Sequence, residues 1–114
     1  TAERVFDVPV GEAVEQLRRH PALQGVDLSG VSGRGKAVMM VTKTLLLATE
    51  GSQGPPILNA HDKSTGTKLG TIDLPAPGMY GMMTYMHEGQ QYIVVQIGSA
   101  RENFPGSLVA LKLP

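Results

Sequence analysis

The chain has 114 residues, enough for one domain or a piece of a larger one, with a modest core. Its ten basic and ten acidic residues cancel, which removes the electrostatic case for nucleic acid or an anionic membrane surface. Zero Cys excludes disulfides, thiolate metal sites and a Cys nucleophile, and no apolar run reaches the ~18 residues of a membrane span.

Residues 1–10 read as extended. Residues 11–20, "GEAVEQLRRH", carry the helix signals. Ala13, Val14 and Leu17 share a face, Glu12 and Glu15 lie early, Arg18, Arg19 and His20 lie late, and Pro21 stops the run. No basic region leads an apolar stretch, so no signal peptide is expected in this chain. A Gly/Ser-rich loop follows to residue 35. Arg34, Gly35 and Lys36 lack the spacing and the following helix of a phosphate loop.

From residue 36 the pattern is β. "KAVMMVT" and "TLLLATE" are short apolar strands joined around Thr42-Lys43. "ILNAHD" and "KLGTIDL" follow, joined by "KSTG" with its Thr65-Gly66 turn. Four strands in about 37 residues approach the ~40–45 residue period of a propeller blade. "PAPGMYG" is a crossover. "MMTYMHEGQQYIVVQIG" is a hairpin with its turn at Glu88-Gly89, and "SLVALKL" is a last strand after "SARENFPG". The expected fold is all-β, part of a β-propeller with a short N-terminal helix. Residues 1–35 form a connector with a helix over 11–20, 36–75 a complete four-stranded blade, and 76–114 an incomplete three-stranded blade. Fourteen Gly and eight Pro suit short strands and tight turns. Aromatics are only 4% with no Trp, thin for a self-contained β domain. A two-blade piece with open edges is expected to self-associate or to pair with other blades.

"HPALQGVDL", "GKAVMMVTKTLLLATEG", "LNAHDKSTGTKLGTIDLPAPG", "MTYMHEGQQYIVVQIGS" and "PGSLVALKLP" occur in this order. In that series the chain resembles the C-terminal region of pyrroloquinoline-quinone (PQQ)-dependent dehydrogenases, the glucose dehydrogenase-like branch above all. The resemblance implies a barrel of about eight four-stranded blades with the quinone over its channel, usually with calcium. It implies oxidation of a sugar or alcohol and a periplasmic setting. It also implies a catalytic Asp, calcium ligands and a stacking Trp, none of which is matched here, so no catalytic residue and no metal ligand is assigned. The chain is expected to be inactive without further blades. The alternative is a non-catalytic propeller fragment that oligomerises or binds.

In such a propeller the segments Glu50 to Pro56, Pro75 to Met82 and Gly98 to Gly106 would line the cofactor face. By resemblance the last is the candidate cofactor-binding loop. Gly98 and Ser99 permit close backbone approach. Arg101 and Asn103 offer donors, and Phe104 begins a Phe-Pro-Gly similar to the Trp-Pro-Gly of alcohol-oxidising relatives. An ordinary blade connection is the competing reading. His61-Asp62 has the look of a proton-transfer pair, but Asp62 is expected to hold the "KSTG" turn. His20 is expected to cap and His87 to be solvated. Six Met are read as gap-fillers in a core short of aromatics. Gly70 stands where the unit usually carries a large aromatic, and a closer neighbour or a Met is expected to fill the space.

Overall fold

A computed structural model describes residues 2–10, 15–28, 31, 37–51, 54–99 and 104–113. Seven strands form two antiparallel meanders. Sheet 1 runs in the order β1 (Met39–Val41), β2 (Leu45–Thr49), β3 (Ile57–Asp62), β4 (Lys68–Asp73). Sheet 2 runs β5 (Gly78–His87), β6 (Gln90–Ser99), β7 (Phe104–Lys112). β1 meets β5 across the sheets, so the first strands of the two units lie together. Blades fanning from a common axis have this arrangement, and the fold is a partial β-propeller.

The strand bounds differ from the sequence expectation at the ends. β1 is shorter than "KAVMMVT". β5 starts earlier, at Gly78, and β7 starts at Phe104. Pairing partners extended both strands beyond what their own residues signal, because ladder hydrogen bonds and burial override local propensity. Of the expected helix over 11–20, α1 covers Glu15–Arg18, and residues 11–14 lie outside the described residues. A 3-10 turn, Pro21–Leu23, follows. His20 does cap, but at the start of that turn: its Nδ1 accepts from Ala22 N–H at 3.2 Å.

The core lies between the sheets. Alternation places Leu47 and Leu58 of sheet 1 against Ile93, Val95 and Ile97 of sheet 2, closed by Leu74 and Ala76. Met40 and Met82 pack at its edge, while Met39, Met83 and Met86 are exposed, so gap-filling accounts for only some of the Met residues. The opposite face of sheet 1 is also covered: Ala48, Asn59 and His61 are buried there. At one corner of the sheet the Phe6 ring of the N-terminal segment lies against Gly66. A Cβ on Gly66 would fall 2.7 Å from it.

The two ends of the sheets differ. One end, the turn end, holds the tight reversals. The Asp62–Thr67 turn is closed by Asp62 Oδ1, which accepts from Ser64 N at 2.8 Å and Thr65 N at 3.2 Å, and by Gly66 at φ 77°. Glu88 and Gly89 both have positive φ, 49° and 74°, the geometry of a type I′ hairpin turn. The other end, the loop end, holds residues 50–51, 54–56, 74–77 and Gly98 with Ser99.

Gly70 pairs with Ala60 at the outer strand. The expected filler is not there: no heavy atom lies within 4 Å of where its Cβ would be. The missing aromatic leaves open space on β4, the edge strand of sheet 1.

Candidate functional site

The loop end is assembled by contacts between segments distant in sequence. Thr49, fully buried, ends β2. Its hydroxyl donates to Gly78 C=O and accepts from Val38 N–H, both at 3.1 Å. One oxygen therefore ties sheet 1 to the first residue of sheet 2. Gly78 makes this approach possible, since a Cβ there would fall 2.5 Å from Thr49 Cγ2 and 3.1 Å from Val95. Gly98 N–H donates to Pro77 C=O at 3.1 Å, and Leu74 N–H to Pro56 C=O at 2.7 Å. Described residues within or next to the three segments thus lie at one end of the sheets.

Behind them lies a polar pair. Glu50, 5% exposed, accepts from Asn59 Nδ2 at 2.9 Å. Asn59 Oδ1 is buried without a donor. An unsatisfied buried acceptor costs about 1–3 kcal/mol. The pair escaped sequence reasoning because Glu50 lies just past β2 while Asn59 is in β3, and only the β2–β3 register, Ala48 against Asn59, brings them together.

The candidate cofactor residues fall as follows. Gly98 is buried in β6 with its N–H committed to Pro77. Ser99 and Phe104 pair in the β6–β7 ladder, so they belong to strands and not to a loop. The connection is shorter than the expected Gly98 to Gly106 because β7 takes up Phe104 to Gly106. Arg101 and Asn103 lie outside the described residues.

The demands of the expected cofactors can be set against this geometry. A planar tricarboxylate needs a close-packed backbone and positive charge. Pro77, Gly78 and Gly98 are close-packed but buried against the chain's own residues, and Arg101, which the sequence offers for the second, lies outside the described residues. Calcium takes 6–8 oxygen ligands. Among the described residues no three His, Cys, Asp or Glu gather as a metal group. The Asn59 amide nitrogen sits on the Glu50 carboxylate, so the pair does not chelate as arranged. The described residues do not fit calcium.

The histidines are structural or solvated in geometry. His61 is buried and its Nδ1 faces Gly66 C=O at 3.0 Å, which requires the proton on Nδ1. It points to the opposite face from Asp62, so the two do not form a relay. Asp62 is held below the usual carboxylate range, first by the Ser64 side chain and then by backbone donors of the turn. His87 is exposed, with Nε2 3.9 Å from Glu88. No helix among the described residues is long and apolar enough to cross a membrane.

A family model described as "PQQ: Glucose/ethanol/alcohol dehydrogenase, beta-propeller domain" matches residues 1–93. No curated protein and no solved structure matches the chain.

Proposed function

The chain belongs to the β-propeller family of PQQ-dependent glucose/ethanol/alcohol dehydrogenases, and from that premise we propose that it forms a complete blade over 36–75 and an incomplete blade over 76–114 that together present their loop end to the quinone. Gly98, Ser99, Arg101, Asn103 and Phe104 form its share of the cofactor surface. The supporting observation is the convergence of Thr49, Pro77, Gly78 and Gly98 at one end, held by hydrogen bonds between segments. A rigid end of this kind is a firm base from which the residues following Gly98 can meet a planar ligand.

When bound, PQQ supplies the two-electron acceptor that turns a carbinol into a carbonyl. The chain's own part is to hold shape and charge. Gly98 and Ser99 keep the backbone low, and the Arg101 guanidinium pairs with a carboxylate of the quinone. The base and any calcium ligands come from other blades, so the isolated chain binds without turning over. The substrate is a sugar or alcohol, the branch is glucose dehydrogenase-like, and the compartment is the periplasm.

The test is titration of the purified chain with PQQ, with and without calcium, following absorbance and glucose-dependent dye reduction. Binding that Arg101→Ala weakens, without dye reduction, is the expected result. Absence of PQQ binding, or binding indifferent to Arg101→Ala, would remove the loop from the cofactor surface.

A second reading, a non-catalytic module that self-associates, is favoured by β7. This nine-residue strand pairs with β6 on one side only and exposes Leu108. Open apolar edges recruit further strands. Light scattering behind size-exclusion chromatography discriminates: a strict monomer argues against this reading.

A further inference from the structure

Sheet 2 carries both of its irregularities at the loop end. Gly78 pairs with Ile97 and Met82 with Val95, so Met79, Tyr80 and Gly81 of β5 face Gln96 alone. Ile97 pairs with Ser107 and Ser99 with Phe104, so Pro105 and Gly106 of β7 face Gly98 alone. The two bulges are neighbours, because Gly98 N–H is bonded to Pro77 C=O immediately before β5. Bulges twist a strand and re-aim its side chains, and they recur beside binding sites.

The first bulge delivers one aromatic. Tyr80 is 72% exposed. Tyr85 and Tyr92 stack on each other at 5.2 Å, whereas among the described residues no ring packs on Tyr80. Next along β5, Gly81 has no heavy atom within 4 Å of its would-be Cβ. The strand beneath is fixed by the Thr49–Gly78 and Gly98–Pro77 hydrogen bonds. An apolar ring with a polar tip, held out from a rigid strand beside Gly98, is laid out to receive a ligand with an apolar face and a hydroxyl rim. A pyranose has both. A short alcohol has no face to cover the ring.

We propose that Tyr80 is a substrate-recognition residue, stacking on the C–H face of a pyranose at the loop end and favouring a sugar over a short-chain alcohol. This rests on the dehydrogenase reading above. An aromatic contact of this kind is worth roughly two- to tenfold in affinity.

The experiment is an NMR titration of the intact chain with glucose, with ethanol as comparator and PQQ in a parallel series. Glucose should shift the Tyr80 ring signals saturably, and ethanol at equal concentration should not. Tyr80→Ala should weaken glucose binding roughly two- to tenfold, and Tyr80→Phe should retain most of it. The stacked Tyr85 and Tyr92 signals serve as a built-in check that each variant keeps its hairpin. Unchanged glucose affinity in Tyr80→Ala, or an equal response to ethanol, overturns the proposal. If PQQ moves the Gly98 amide while glucose leaves Tyr80 unmoved, Tyr80 loses its role and the cofactor surface stands. If neither ligand moves Gly98 or Tyr80, both fall.

Discussion

At the turn end, the reversals close mainly through their own residues, with Lys63 also bonded to Thr44 and Thr42 of the neighbouring turn. Asp62 binds Ser64 and Thr65 two and three residues on, Gly66 N–H returns to Asp62 C=O, and Thr42 Oγ1 accepts from Leu45 N–H. At the loop end, each reversal leans on another segment: Thr49 on Gly78, Gly98 on Pro77, Leu74 on Pro56. Local turns cost little loop-closure entropy and form from their own residues. Leu74–Pro56 and Gly98–Pro77 prolong the β3–β4 and β5–β6 ladders, and Thr49–Gly78 alone crosses between the sheets. That one bridge exists only once both sheets have docked, so the joint between them at the loop end is a tertiary property.

The sharpest way to break the contrast is Gly78→Ala. Its Cβ would meet Thr49 and Val95, and Thr49 cannot turn aside without releasing two hydrogen bonds. Overpacking should cost about 1–3 kcal/mol or more, read from denaturant midpoints. Thr49→Val keeps the shape but strands Gly78 C=O and Val38 N–H. A loss of about 1–3 kcal/mol is expected. A neutral outcome would mean that the sheets do not depend on this bridge. Gly66→Ala probes the turn end, where φ 77° and the Phe6 ring both oppose a Cβ. The conformational part alone is about 1–2 kcal/mol, and pairing with Phe6→Ala should remove the steric part but not the backbone part.

Gly70→Ala runs the other way. The position is open, in a strand, and without positive φ, so a gain of about 0.5–1 kcal/mol is expected in thermal unfolding. The smallest effect belongs to Asp62, whose carboxyl is held below its ordinary value of 3.8 by the Ser64 and Thr65 hydrogen bonds. A depressed carboxyl contributes stability above its unfolded pKa and loses it as pH falls through the folded pKa. Wild type should therefore be more stable than Asp62→Ala near neutral pH, with the gap closing below about pH 4. A gap independent of pH would leave only packing to explain the turn.

Much of the fold was legible because it is local. The Thr65-Gly66 and Glu88-Gly89 turns announce themselves by residue type, and period-2 alternation marks Leu45–Thr49 and Tyr92–Ile97. The candidate site was legible less fully. The ordered motifs indicated which segments gather at the loop end, but Gly98, Ser99 and Phe104 prove to be strand residues whose pairing no local pattern encodes.

By itself the sequence determined the two meanders, their turns, the alternating core and the family, since each rests on spacing along the chain. The tertiary structure alone decided the Thr49–Gly78 bridge, the Glu50–Asn59 pair, the empty flank of Gly70 and the exposure of Tyr80. Each depends on register or on the approach of one sheet to the other. Those are set by the summed burial of a face and the closure of hydrogen bonds across it, and no short stretch of residues contains either.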